Sequence, residues 1–318
     1  MYLGVEIGGT KLQLALGRGD GVLNHHWRGT VDVAAGAAGI RERIVTAFPE
    51  LLASSGVGRP QVRAVGIGFG GPVDDATRGV LKSHQVGGWD GFPLAAWVEE
   101  ALGLPCAIGN DADVAGLAEA LFGAGKGLSP IFYMTIGSGI GGGLIVNGEI
   151  YRGTGKGAAE VGHLRVWHDG EWLKLEDAAS GWSIVADART RLTDPRNSQS
   201  LLLDLCHGEP VHLRGQDIAD AARRGDSLAL RILNDAQECL AQAICHVIAL
   251  LCPKRVVIGG GVSLMGEDVL FAPLRRLVVQ SVFAPFAGEF EIVPAALGEE
   301  VVLHGALALA RLHFEGRA

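Results

Sequence analysis

Cysteine is sparse in this chain and poorly spaced for chemistry. Its 318 residues include five, Cys106, Cys206, Cys239, Cys245 and Cys252. The number is odd and no CxxC pair occurs, which argues against a disulfide framework or a thiolate zinc site and leaves reduced, buried thiols. Basic charge is also short, with 27 Lys+Arg against 35 Asp+Glu and a formal net charge of −8. A nucleic-acid footprint wants clustered base, so no nucleic-acid partner is expected. A small anion held by backbone N–H groups is not excluded by that balance. Long apolar runs are missing too. The most apolar helical stretch, Ala241 to Cys252, is too short to cross a bilayer and contains His246, so no membrane partner is expected. The chain opens on Tyr2-Leu3-Gly4-Val5 without a basic and then apolar leader, and the expected location is the cytoplasm. The GxxxxGK[ST] phosphate loop is absent as well: Lys126 and Lys156 are each followed by Gly.

Glycine is what the chain has in excess, at 48 residues, within a composition that is 48% hydrophobic and 19% charged. Such a chain is globular, with many tight turns or close backbone approaches. Its length suits two domains or one large α/β unit.

Tyr2 to Ile7 reads as a strand, Gly8-Gly9-Thr10-Lys11 as a turn, and Leu12, Leu14 and Leu16 as one face of a second strand. A third strand is expected over 21–28 and a helix over 36–56. A strand follows at 64–69, ending on Gly70-Gly71-Pro72. Residues 75–91 read as loop and 92–102 as helix. Ile131 to Ile136 is a strand that enters Gly137-Ser138-Gly139-Ile140-Gly141-Gly142-Gly143 and leaves through Leu144-Ile145-Val146; Asn147-Gly148 is a hairpin signal. This second strand, glycine tip, strand repeats the first hairpin weakly, and two copies of one unit suggest two related domains facing each other. Helices are expected over 176–192, 216–224 and 227–251, the last stopped by Pro253, with a strand at 255–258 before Gly259-Gly260-Gly261 and a helical tail from Gly298.

The chemistry gathers at Ala107-Ile108-Gly109-Asn110-Asp111-Ala112-Asp113. A short apolar strand stops at three polar side chains, and Val114, Leu117, Ala118 and Leu121 follow at helical spacing. Strand, polar turn, helix holds an acid at the mouth of an α/β sheet, and a helix N-terminus favours an anion there. A fixed, ionised carboxylate is what a general base needs. The plain alternative is that Asp111 or Asp113 only caps the helix.

Three glycine turns follow strands: Gly8-Gly9-Thr10, Gly137 to Gly143, and Gly259 to Gly261. Successive N–H groups in such turns form anion-binding nests, and three of them point to a nucleotide cradle. Gly137 to Gly142 formally matches GxGxxG, but a strand and not a helix follows, so the dinucleotide fingerprint is rejected. Hairpin phosphate binding remains.

Six stretches occur here in the order of the ROK family of sugar kinases, which the chain resembles from its first strand to its tail: Leu3 to Lys11, Gly68 to Val73, Asn110-Asp111, Thr135 to Gly143, Glu160-Val161-Gly162-His163, and Val257 to Val262. The resemblance implies an actin-like ATPase fold of two α/β domains around a cleft, expected as 1–112 plus 299–318 and as 113–298. It implies transfer of the ATP γ-phosphoryl group to a hexose hydroxyl, with Mg²⁺-ATP as the second substrate; O6 of glucose is favoured, with fructose, mannose and N-acetylated hexosamines open, and apolar surface on the C-terminal half suits a homodimer. Asp111 then resembles the catalytic base. Gly71, Asn110, Asp111, Glu160, His163 and Glu176 resemble the sugar ligands. Gly8, Gly9, Thr10, Lys11, Thr135, Gly137, Ser138, Gly139, Gly259, Gly260 and Gly261 resemble the nucleotide cradle, and Asp113 is left as the plain cap.

Three departures from the family pattern stand out. Between His163 and Glu176 the chain has no cysteine where many members carry a CxCGxxGC zinc loop, so no zinc is expected. Glu6 stands where Asp is commoner and is expected to hold a water of the Mg²⁺ shell. The family's Pro-Asn pair before the base is replaced by Ser83-His84-Gln85, leaving His84 or Gln85 as the substitute. A sugar-responsive repressor of the same family would carry a DNA-binding helix-turn-helix ahead of the first hairpin; with the hairpin beginning at Tyr2 and a net charge of −8, none is expected. A catalytically silent sugar sensor on the kinase fold is the remaining rival, and the retained Asp111 counts against it.

Overall fold

The computed structural model describes residues 1–83 and 85–316. His84, one of the two candidate substitutes in the loop before the base, lies outside the described residues. The elements in chain order are β1 (Tyr2–Ile7), β2 (Lys11–Gly17), β3 (Leu23–Thr30), α1 (Gly36–Ser55), β4 (Val65–Phe69), the short strands β5 (Val73–Asp74) and β6 (Gly79–Val80), α2 (Leu94–Leu102), β7 (Cys106–Asn110) and α3 (Asp111–Leu121). Then come β8 (Ile131–Ile136), β9 (Ile140–Val146), β10 (Glu149–Ile150), β11 (Arg165–His168), β12 (Glu171–Lys174), α4 (Leu175–Ala179), α5 (Gly181–Leu192), α6 (Leu201–Leu205), α7 (Gly215–Arg223), α8 (Ser227–Leu251), β13 (Arg255–Gly259), α9 (Ala272–Ser281), β14 (Glu291–Pro294) and α10 (Val301–Glu315).

The chain divides into two compact units. The first comprises Met1–Ser129, Gly143–Ala159 and Ala296–Ala318; the second comprises Pro130–Gly142 and Glu160–Ala295. The first unit thus runs past residue 112, the edge expected from the sequence, and takes in α3. The reason is physical: α3 packs on α10, and the buried Glu119 carboxylate of α3 accepts the backbone N–H groups of Ala296 and Leu297, each at 2.9 Å.

The first unit is built on a five-stranded sheet ordered β3-β2-β1-β4-β7. β1 pairs antiparallel with β2 and parallel with β4, and β4 pairs parallel with β7. β1 and β4 are buried along their whole lengths because helices cover both faces, as parallel strands require. Leu3, Val5, Leu14, Leu16, Ile44 and Ile67 are fully buried, each stabilising the fold by roughly 1.5–3 kcal/mol relative to exposure.

In the second unit β8, β13 and β14 run parallel, with Gly259 opposite Thr135. The longest helix, α8, buries Leu228, Ile232, Leu240, Ile244 and Val247 on one face. It ends at Cys252, held left-handed at φ 44°, ahead of Pro253.

Several local expectations shift. The helix expected over 176–192 is two helices, broken at Ser180, whose hydroxyl caps α5 by accepting the Ser183 N–H at 3.2 Å. The glycine tip is shorter than it reads, because Gly141 to Gly143 already belong to β9. The residues between His163 and Glu176 form the β11–β12 hairpin, with Trp167 opposite Trp172.

Candidate active site

In the first unit the parallel register brings the expected residues to one sheet edge. Ile7 stands opposite Phe69, and Phe69 opposite Asn110, so the segments after β1, β4 and β7 leave the sheet side by side. Ligand sites form at the carboxyl ends of such strands. The N–H of Gly70 donates to the Ile7 carbonyl at 2.8 Å. A β-carbon on Gly70 would stand 3.7 Å from both Asp111 Oδ2 and the Gly8 backbone, so the first hairpin, the Gly70-Gly71 turn and the candidate base converge.

Asn110 is the cap of α3. Its Oδ1 accepts the N–H groups of Ala112 at 2.8 Å and Asp113 at 3.4 Å, and its Nδ2 donates to the Gly71 carbonyl at 3.0 Å. This corrects the expectation that Asp113 is the plain cap: Asp113 is buried inside the first turn. The side-chain clamp on Gly71 fixes the turn beside the acid. Asp111 opens the helix, and its Oδ1 accepts the Ala112 N–H at 2.9 Å. The positive end of α3 therefore faces this carboxylate.

The β1–β2 hairpin closes through the Gly8 N–H donating to the Lys11 carbonyl at 3.1 Å. Glu6, almost fully buried, is held on both oxygens: Lys11 Nζ lies 3.1 Å from Oε1, and Gln13 Nε2 donates to Oε2 at 2.7 Å. Gln13 Oε1 in turn meets His26 Nε2 at 2.8 Å. Gln13 is fully buried and stands opposite Glu6 in the strand register. The sequence signal for it was a single amide among leucines on an otherwise apolar strand. Each carboxylate oxygen has a second lone pair, so Glu6 fits a water-mediated hold on a cation that arrives with a nucleotide. Among the described residues no cluster of three or more His, Cys, Asp or Glu has metal-holding geometry. The Gln85 side chain lies directly over Gly9, where a Cβ would collide with its amide. The loop residue considered for the sugar thus stands at the hairpin tip. Thr10 sits at the same tip, its carbonyl accepting the Val31 N–H at 3.1 Å.

The second unit gathers the other candidates around the β8–β9 turn. Gly137 accepts the Gly181 N–H at 2.8 Å through its carbonyl, which seats the start of α5 on the turn beside Ser138. Gly260, at φ 83°, passes so close to Ile136 that a Cβ would lie 2.6 Å from its carbonyl oxygen. Gly259 to Gly261 and Thr135 to Gly137 are therefore adjacent strand ends. Glu160 and His163 flank a single 3-10 turn over Val161–His163, closed by the His163 N–H donating to the Glu160 carbonyl at 3.1 Å. Both side chains reach solvent, and Gly162 between them packs against the Ile140 backbone. Ala159, just before, is held left-handed at φ 60°, which costs a β-carbon residue on the order of 1 kcal/mol. Glu176 lies in the first turn of α4, and its Oε2 accepts the Ile140 N–H at 2.9 Å. One unit thus carries the first hairpin, Gly71, Asn110 and Asp111; the other carries both further glycine turns, Glu160, His163 and Glu176.

The family model of the ROK family matches residues 2–313. The glucokinase of Thermotoga maritima is 33% identical, over 99% of this chain and 98% of its own length. The glucokinase of Streptomyces coelicolor is 32% identical, over 98% of both. The solved structure of a ROK family glucokinase from Streptomyces griseus, in complex with glucose and AMPPNP, is 32% identical, with a TM-score of 0.81 and coverage of 98% of this chain and 99% of that one. A ROK hexokinase from Thermus thermophilus is 26% identical, with a TM-score of 0.79 and coverage of 99% of both. The fold is the α/β actin-like ATPase fold expected from the sequence. With a family match along nearly its whole length and relatives at this identity, the chain belongs to the ROK family.

Proposed function

We propose that this protein is a glucokinase, transferring the γ-phosphoryl group of ATP to O6 of glucose with Asp111 as general base. The broader class is an ATP-dependent hexose kinase, as glucokinase relatives at 33% and 32% identity over nearly their full length support. The observation that carries the finer reading is the convergence of Gly8, Gly70 and Asp111 Oδ2 at one edge of parallel strands, with Asn110 pinning the Gly71 turn.

In this mechanism the sugar hydroxyl donates its proton to Asp111 as its oxygen attacks the γ-phosphorus, and the bond to the ADP oxygen breaks. The work of such a site is positioning and charge stabilisation. Asn110 and Gly71 orient the acceptor beside Asp111, and Glu160, His163 and Glu176 supply further hydrogen-bonding groups for the hexose. The turns formed by Gly8, Gly9, Thr10 and Lys11, by Thr135, Gly137, Ser138 and Gly139, and by Gly259, Gly260 and Gly261 hold the nucleotide, with the Gly8 and Gly137 N–H groups closing their turns and the remaining backbone N–H groups of the tips serving the phosphates. Mg²⁺ arrives with ATP as part of the substrate, where it would neutralise phosphate charge, and Glu6 is the residue that would hold it through water. A cytoplasmic homodimer belongs to the same proposal. No described helix is long and apolar enough to cross a membrane.

A coupled ADP-release assay with Mg-ATP and a panel of glucose, fructose, mannose and N-acetylated hexosamines tests the reading. Glucose is expected to give the highest kcat/KM, with glucose 6-phosphate as product. Preference for another hexose overturns the substrate, and ADP release with none of them overturns the kinase.

A further inference from the structure

The β11–β12 hairpin sits between two of the proposed hexose ligands. His163 immediately precedes Leu164 and Glu176 immediately follows Leu175, and the hairpin base is closed by the Leu175 N–H donating to the Leu164 carbonyl at 2.8 Å. Any tilt of the hairpin therefore moves both ligands. Its own contacts are few. Val166 is fully buried, but Trp167 and Trp172, paired edge to face with centroids 5.5 Å apart, are about half exposed. A two-stranded hairpin of four residues a side is marginal without further support.

That support comes from α8. In the antiparallel register Trp167 pairs with Trp172 on one side. On the other side the Gln242 side chain makes a double hydrogen bond with the Trp167 backbone: the Trp167 N–H donates to Gln242 Oε1 at 2.9 Å, and Gln242 Nε2 donates to the Trp167 carbonyl at 2.9 Å. One side-chain amide thus acts as the neighbouring strand at an open edge, using the donor and acceptor faces that only Asn and Gln present together. Gln242 stands on the longest helix of the unit, whose inner face is packed in the core. The clamp joins the hairpin to a helix anchored in the core of the unit.

We propose that Gln242 is a positioning residue for the hexose: by fixing β11 to α8 it sets the placement of His163 and Glu176, and so controls sugar affinity without touching the sugar. This rests on the hexose-kinase reading. It predicts a split that a purely structural role would not give. Gln242→Leu, close in size but unable to hydrogen-bond, should raise the hexose KM about 5- to 20-fold while kcat stays within about twofold and the ATP KM rises by no more than about threefold through the Glu176–Ile140 bond, since small misplacements of binding groups are costly. Gln242→Glu keeps the acceptor for the Trp167 N–H but loses the donor to its carbonyl, and should give a smaller rise in the same parameter.

The test combines these kinetics with hydrogen exchange of the sugar-free protein, followed at the Trp167 amide. The expected result is at least tenfold faster exchange at Trp167 in Gln242→Leu, together with the KM rise. Unchanged exchange overturns the clamp. Faster exchange with an unchanged hexose KM overturns the positioning role, and equal changes in kcat and both KM values do the same by indicating general damage. If Gln242→Leu does not fold, Gln242→Glu carries the same comparison. A wild-type protein that phosphorylates no hexose would instead overturn the kinase reading, a failure visible before any variant is made.

Discussion

The carboxylate of Glu176 accepts the backbone N–H of Ile140 at 2.9 Å. A residue proposed to bind the hexose is thereby tied to the strand that leaves the proposed phosphate turn. The coupling is short: Gly139 is so close that a β-carbon there would collide with the same carboxylate. Glu176→Ala should therefore raise the hexose KM about 10-fold and the ATP KM about 3-fold, because loss of the acceptor frees the turn. His163→Ala, which removes no bond to that turn, should raise the hexose KM alone. Steady-state kinetics in both substrates separate the two, and an ATP KM unaffected by Glu176→Ala would break the link.

Two glycines of the proposed nucleotide turns make opposite predictions. Gly137 has open space where a β-carbon would stand, whereas Gly260 combines φ 83° with an approach of 2.6 Å to the Ile136 carbonyl. Gly137→Ala should leave stability within about 0.5 kcal/mol yet weaken ATP binding, since its methyl group meets only a ligand. Gly260→Ala should cost about 1–3 kcal/mol through strain. Urea unfolding and nucleotide titration on the two variants check this, and similar stability losses in both would contradict it.

What could be read in the sequence was the part written in local patterns. The alternation in Leu12 to Leu16, the polar stop after Ile108 and the apolar stripe of 227–251 each fix an element through neighbours a few residues away. The glycine turns were legible for the same reason. Interactions between distant segments were not. Glu119 resembles a solvated helical glutamate, yet it is fully buried and bound to amides 177 and 178 residues away. Gln242 meets the hairpin across 75 residues. The identity of the α3 cap was missed because Asn110, Asp111 and Asp113 are all competent caps, and only the strand register shows that Asn110 faces both Gly71 and the helix start.

Asp111→Asn tests the proposed base directly. The amide keeps the size of the side chain and can still accept the Ala112 N–H, so the fold and the sugar contacts should survive. It cannot take up the hydroxyl proton. We expect kcat to fall about 10²–10⁴-fold with the hexose KM changed less than about threefold. Turnover near the wild-type rate would remove Asp111 from the mechanism.

Glu119 gives a stability prediction free of any functional reading. Its two oxygens accept three backbone N–H groups, from Ala124 at 2.6 Å and from Ala296 and Leu297 at 2.9 Å each. Glu119→Ala removes the shared acceptor of all three in a part-buried site, each loss costing about 1–3 kcal/mol. A drop of at least 3 kcal/mol in unfolding free energy is expected, and a drop below 1 kcal/mol would mean that water or side chains replace the carboxylate.

His304 supplies a pH dependence with a defined sign. Burial pushes its imidazole below the ordinary value, against a smaller opposing pull from Glu300, and its buried Nδ1 has no hydrogen-bond partner among the described residues. The folded state therefore resists the proton that the unfolded chain accepts near pH 6.5. The stability tied to neutral His304 is fully present above pH 6.5 and is lost as the pH falls through its lower folded value. His304→Leu cannot titrate. Chemical unfolding of both proteins from pH 7.5 down to pH 5 should show wild type losing stability relative to the variant as acid is added, the gap opening below pH 6.5. Parallel curves would show that His304 takes up its proton equally well in both states, which burial without a partner does not permit.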